Sequence, residues 1–210
     1  MAIVKICGIT NYRDALMSIE LGADMLGFNF YNKSKRFISP ITLFDIQNKL
    51  ISHDIPLIVG VFVNSTYEEI RLVLNKCKID LIQLSGDEPP SLVKKLGENV
   101  LKVLRPSSLG EMQELSKLFP ARKAVPEFLI DSYSPNSYGG TGNVGNWELL
   151  RKISMQHSIM IAGGLNPQNI GSAVKYIIPW GVDVASGVEI VPGQKDVVKI
   201  REFVNAAKLI

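Results

Sequence analysis

Eight short apolar runs alternate with eight segments of helical spacing along 210 residues, and the last two runs each end in a small-residue turn containing glycine. These observations predict an α/β chain folded as a single small (β/α)8 barrel domain, residues 1–210, with eight parallel strands. Strict alternation with short connections implies parallel strands and right-handed crossovers. A doubly wound sheet would also alternate, but eight units with the glycine turns last fit a closed barrel better. The length is at the short end for such a barrel.

The strands are read at Ile3–Cys7, Met25–Phe30, Leu57–Val63, Leu81–Leu84, Val100–Leu104, Phe128–Asp131, Ile159–Ala162 and Val182–Ala185. Short, mostly apolar runs of this kind suit strands covered on both faces. The helices are read at Tyr12–Leu21, Ile41–Ile51, Thr66–Lys76, Ser91–Leu96, Ser108–Leu118, Trp147–Ile153, Pro167–Ile177 and Asp196–Leu209. Ile70, Val73, Leu74 and Cys77 form one apolar stripe, which marks Cys77 as helix packing. Asn11 followed by Asp14 reads as a capping-box variant, and Asn166-Pro167 as an N-cap and first helical position.

A composition of 46% hydrophobic and 20% charged residues is that of a soluble globular protein. A net charge of +3, without a basic block, argues against a nucleic-acid partner. No apolar run approaches the roughly 18 residues needed to span a membrane, and the N-terminus enters a strand directly, without a signal-peptide layout. Two cysteines on unlike elements suggest no disulfide framework and point to a reducing cytoplasm. The expected assembly is a monomer or a homodimer.

In this architecture chemistry sits at the C-terminal ends of the strands. The turn Gly163-Gly164 after the seventh strand, and Ser186-Gly187 after the eighth, are expected to hold a phosphate. His53 and His157 precede strands, so both fall on the opposite, structural face. The acid and base must then be other residues. Cys7 ends the first strand beside a helix start, where a thiol pKa can fall; the plain alternative is a small buried hydrophobe. Lys5 shares its pleat parity, so it points into the barrel and needs a partner. Lys33, Lys35 and Arg36 form either a solvated turn or a clamp for an anionic substrate, for which an arginine fork is well shaped. Asp131 ends the sixth strand and is either a helix cap or an acid with a raised pKa. The glycine-rich stretch 134–146 that follows is long enough to cover a ligand. Gln83, Ser85 and Arg105 are further polar residues at the rim.

With these residues in hand, the chain resembles the phosphoribosylanthranilate isomerase family of tryptophan biosynthesis over nearly its whole length. The likeness runs through Lys5-Ile6-Cys7-Gly8-Ile9-Thr10, Ser34-Lys35-Arg36, Gln83-Leu84, Leu129-Ile130-Asp131, Ala162-Gly163-Gly164-Leu165-Asn166-Pro167 and Asp183-Val184-Ala185-Ser186-Gly187-Val188-Glu189. The family usually has histidine after Gln-Leu, where this chain has Ser85. The resemblance implies a cofactor-free, metal-free Amadori rearrangement of an aminoaldose phosphate to an aminoketose. It implies Asp131 as general acid, Cys7 as general base and Arg36 as the anthranilate-carboxylate clamp. Gln83 and Asp183 are implied as further substrate contacts, and Gly163, Gly164, Ser186 and Gly187 as the phosphate site.

Two other readings stay open from the residues alone. One is a phosphosugar lyase or synthase on the same barrel, such as indole-glycerol-phosphate synthase. The other is a barrel that binds a phosphometabolite without catalysis, which would have no need of Cys7 and Asp131 together.

Overall fold

The computed structural model describes residues 1–51, 53–131 and 146–209. Eight parallel strands close into a barrel in chain order: β1 (Ile3–Cys7), β2 (Met25–Asn29), β3 (Leu57–Phe62), β4 (Leu81–Leu84), β5 (Val100–Leu104), β6 (Phe128–Asp131), β7 (Ile159–Ala162) and β8 (Gly181–Val184). β1 pairs with β8 at Lys5–Asp183 and with β2 at Cys7–Gly27, which completes the ring. The helices are α1 (Tyr12–Glu20), α2 (Pro40–Leu50), α3 (Tyr67–Lys76), α4 (Pro90–Leu96), α5 (Leu109–Leu118), α6 (Trp147–Ser154), α7 (Ile170–Ile177) and α8 (Val197–Lys208). None of the described helices is long and apolar enough to cross a membrane.

Pleat alternation sorts every strand residue. Even positions on β1, such as Val4 and Ile6, join Leu26, Phe28, Ile82, Ile130, Ile161 and Val182 in the core between strands and helices. The other set faces inward, where Met25, Val59, Leu81, Leu101, Leu129 and Met160 fill the barrel. On β1 the inward set is Ile3, Lys5 and Cys7, so Lys5 enters the interior with no exposed surface. A buried ammonium requires a partner. Its Nζ donates to Asp183 Oδ1 at 2.9 Å.

Local chemistry sets the ends. Asn11 Oδ1 accepts from Asp14 N, and Thr66 with Glu69 forms a full capping box on α3. Ser108 and Asp196 cap α5 and α8, one residue outside the helices that were expected to include them. α7 departs further from expectation. It starts at Ile170, while Asn166 Oδ1 accepts from the N–H groups of Gln168 and Asn169 in a preceding turn. Asn166 therefore caps that turn, not the helix. After β8 the chain makes a single 3-10 turn, Ser186–Val188, then a hairpin of β9 (Glu189–Val191) and β10 (Gln194–Lys195). This hairpin was not anticipated. The glycine-rich stretch 134–146 expected to cover a ligand lies, apart from Asn146, outside the described residues.

Candidate active site

The inward set reaches the C-terminal rim as Cys7 from β1, Gln83 from β4, Asp131 from β6 and Asp183 from β8. Strand parity puts them on one face of the sheet. Asp131 and Asp183 line a cleft of about 250 Å³ with Ala162, Gly163, Gly164, Leu165, Ala185 and Ser186. This single cleft joins the acid candidate to both glycine turns.

Gly163 and Gly164 have φ of 96° and 68°, which other residues rarely adopt. Gly187 has a different need for its missing side chain. A β-carbon there would collide with the carbonyl oxygen of Leu165, so the turns after β7 and β8 touch only because this residue is glycine.

Cys7 is 9% exposed and lies next to Gly27, where a β-carbon would stand 2.7 Å from the sulfur. The structure corrects the expected cause and direction of its pKa shift. Burial pushes the thiol above its ordinary value; the nearby Lys5 and Lys195 ammoniums oppose this, Asp183 adds to it, and the net direction is up. The N–H groups that follow Cys7 in the chain, those of Gly8 and Ile9, both donate to Gly27 O, and α1 begins only at Tyr12. Lys5 itself is pulled down by burial, but Asp183 and Cys7 reverse that and leave it raised.

The loop after β2 winds on Asn29, whose side chain accepts from Tyr31 N and donates to Ser34 Oγ. Ser34 Oγ in turn accepts from Arg36 N. Lys33 and Lys35 are exposed and form the solvated part of the loop. Arg36 folds inward and donates to Glu189 from Nε at 2.8 Å and Nη2 at 2.6 Å. Gly8, with φ of 77°, makes room for it, since a β-carbon there would sit 2.5 Å from Arg36 Cδ. Burial alone would raise the Glu189 carboxyl, but Arg36 and Lys195 together hold it below the usual range.

Gln83 is 5% exposed. Its Nε2 donates to Ser85 Oγ at 3.0 Å, and its Oε1 has no hydrogen-bond partner among the described residues. Arg105 joins the β4 end to the acid candidate: Nη2 donates to Ser85 O at 3.0 Å and Nε stands 3.5 Å from Asp131 Oδ2. Lys102 braces the same loop through Gly86 O at 2.6 Å and Glu88 Oε2 at 2.7 Å. The two histidines are at the other end; His157 Nδ1 is 2.9 Å from Glu127 Oε2 below β7, and His53 is exposed ahead of β3. Cys77 is buried in the outer core, its thiol directed at Pro40 O. Among the described residues no group of three or more His, Cys, Asp or Glu side chains could hold a metal ion.

A family model of N-(5'phosphoribosyl)anthranilate (PRA) isomerase matches residues 4–206. The chain belongs to the N-(5'-phosphoribosyl)anthranilate isomerase family. A relative in the family, N-(5'-phosphoribosyl)anthranilate isomerase of Trichlorobacter lovleyi, is 43% identical over 208 residues, covering 98% of this chain and 97% of the relative. The crystal structure of phosphoribosyl anthranilate isomerase from Thermotoga maritima is 40% identical, with a TM-score of 0.88 and full coverage of both chains. A second isomerase structure, in complex with reduced 1-(o-carboxyphenylamino)-1-deoxyribulose 5-phosphate, is 38% identical with a TM-score of 0.84, again over the whole of both chains.

Two residues of this phosphoribosylanthranilate isomerase-family site carried no expected role, Glu189 and Lys195. Glu189 stood inside a quoted motif and Lys195 in none. Both arrive on the hairpin, and Arg36 and Glu189 are 153 positions apart, a distance no local pattern spans. The remaining signal was the turn-forming Pro192-Gly193 after Val191.

Proposed function

We propose that Cys7 and Asp131 are the base and acid of this chain's reaction. That reaction is the isomerisation of N-(5'-phosphoribosyl)anthranilate in tryptophan biosynthesis. The observation that carries the residue roles is the rim itself: one thiol and two carboxylates on the inward face, of which Asp183 is paired with Lys5 and Asp131 shares a cleft with both glycine turns.

A phosphate held at Gly163, Gly164, Ser186 and Gly187 lies beside Asp131. In the proposed sequence Asp131 gives a proton to the furanose oxygen and the ring opens to a Schiff base. Cys7, as thiolate, takes the C2′ proton, and the resulting enamine tautomerises to the aminoketose. Arg36 grips the anthranilate carboxylate. Glu189 occupies its Nε and Nη2, which fixes the fork and leaves Nη1 for the substrate. Gln83 Oε1 is an acceptor for a hydroxyl or N–H of the substrate. Asp183 faces the same cleft but is committed to Lys5 through Oδ1, so its contact with substrate is the lesser one.

All groups in the proposal belong to the chain, and none calls for a cofactor. Mixing purified protein with phosphoribosylanthranilate and following loss of the substrate's fluorescence tests it. Turnover by the parent that disappears in Cys7→Ser and in Asp131→Asn is the expected result. Full activity in either variant would remove that residue from the reaction.

A further inference from the structure

Of the buried lysines that take no step in the mechanism above, Lys5, Lys102 and Lys195, only Lys195 bonds to the backbone of Cys7 among the described contacts. Lys195, on β10, is 3% exposed, and its ammonium has three donors. Each goes to a different part of the site: Cys7 O at 2.6 Å, Ala185 O at 3.2 Å and Glu189 Oε1 at 2.9 Å. The first is the carbonyl of the base itself. The second follows β8, immediately before the Ser186-Gly187 turn. The third belongs to the carboxylate that aims Arg36. Backbone contacts anchor the hairpin in turn, with Lys195 N donating to Asp14 Oδ2 and Thr10 Oγ1 to Gly193 O.

We propose that Lys195 is a positioning residue that ties the base, the phosphate turn and the carboxylate clamp into one rigid unit and supplies positive charge beside the Cys7 sulfur. The proposal rests on the roles given above to Cys7, Arg36 and Ser186-Gly187. A neutral amine has only two donors, so the protonated form is the one that makes all three bonds. Burial draws the Lys195 pKa down, and the contacts with Glu189 and Cys7 partly restore it. The other charged groups around the thiol are Lys5 on β1, Asp183 on β8 and Arg36 from the loop after β2. Lys5 is paired with Asp183, and Arg36 with Glu189. The Lys195 charge is shared between Glu189 and two carbonyls, one of them Cys7's own.

Coupling through one ammonium has a functional consequence. A substrate contacts the phosphate turn, the clamp and the base together, and small misplacements at a reacting centre are costly. Removing Lys195 therefore weakens substrate binding and slows the chemistry at once. It also withdraws a cation that opposes the rise of the thiol pKa, and loss of a neighbouring opposite charge moves a pKa by about one unit or more.

The test uses full-length protein carrying Cys77→Ser, so that Cys7 is the one thiol read. Lys195→Met and Lys195→Gln are compared with this parent, and Lys195→Arg serves as the charge-retaining variant. Thiolate absorbance against pH gives the Cys7 midpoint, and steady-state kinetics with phosphoribosylanthranilate give kcat and KM. In Lys195→Gln the midpoint is expected to rise by about one pH unit or more, kcat to fall about tenfold or more and KM to rise. Lys195→Arg is expected to keep the parent's midpoint. If Lys195→Met does not fold, Lys195→Gln alone decides, because its amide keeps two donors without the charge. A folded Lys195→Gln with unmoved midpoint, kcat and KM overturns the role of Lys195, even if its melting temperature drops. Undiminished turnover in Cys7→Ser would instead overturn the base assignment on which the proposal rests.

Discussion

Gly27 of β2 sits opposite Cys7 of β1 in the sheet register, and a β-carbon on Gly27 would stand 2.7 Å from the Cys7 sulfur. The space the Cys7 sulfur occupies is thus made by a missing side chain on the next strand. Gly27→Ala is expected to displace the sulfur and lower kcat about tenfold or more, with a stability cost of about 1–3 kcal/mol from overpacking. Kinetics and thermal unfolding of the variant check this. Unchanged kcat would show that the sulfur's position is not critical.

Arg36 and Glu189 form one device, so their variants should resemble each other. Arg36→Met removes a grip felt by ground and transition states alike, and such uniform binding appears in KM. An increase of about tenfold or more, with kcat little changed, is expected. Glu189→Gln should raise KM in the same direction, since it frees the guanidinium from its fixed aim. A collapse of kcat at constant KM in Arg36→Met would assign the residue to the transition state instead.

Gly187 packs against the Leu165 carbonyl and keeps the two turns in contact. Gly187→Ala should push them apart and weaken the hold on phosphate. The expected result is a rise of roughly tenfold, about 1.4 kcal/mol, both in KM and in the inhibition constant for inorganic phosphate. A rise in KM with unaltered phosphate inhibition would place the phosphate elsewhere.

The pH profile follows from the raised Cys7 thiol. A thiol above its ordinary value stays protonated through neutral pH and ionises only on the alkaline side. In the free enzyme an alkaline titration is therefore expected of Cys7. With a base that must be ionised and an acid that must be protonated, kcat/KM is expected to be bell-shaped. Its alkaline limb is assigned to Cys7 and should vanish from the residual activity of Cys7→Ala. An alkaline limb that persists in Cys7→Ala and is lost in Asp131→Asn would reverse the assignment.

The barrel was legible because its periodicity is local. Each strand run and each helical stripe can be read within a window, and parity then places Cys7, Gln83, Asp131 and Asp183 on the same inner face. Lys5 shows the reach of that logic: parity demanded a partner, and Asp183 provides it across the β1–β8 seam. The hairpin was not legible. Ile190 and Val191 are exposed, β10 has two residues, and neither strand carries an alternation long enough to register. Lys195 and Glu189 were missed with it, although they bond to the Cys7 carbonyl and to Arg36. The direction of the thiol shift was also beyond sequence. A helix start in the chain does not reveal that burial outweighs two ammoniums at the thiol. The α7 boundary failed for a smaller reason: Asn166 capped a turn in front of the helix rather than the helix.

The most direct measurement is kcat of Cys7→Ser beside Cys77→Ser, at saturating phosphoribosylanthranilate and per folded molecule. Both thiols are buried and both substitutions are the same, but only Cys7 is at the rim. Cys7→Ser is expected to lose roughly 10²–10⁴-fold in kcat, the usual contribution of a general acid or base, while its fold is retained. Cys77→Ser should keep the parent's kcat and lose about 1 kcal/mol of stability, roughly 2–4 °C in Tm for a chain of this size. Equal kcat in the two variants would contradict the account, because Cys7 would then be only another buried thiol.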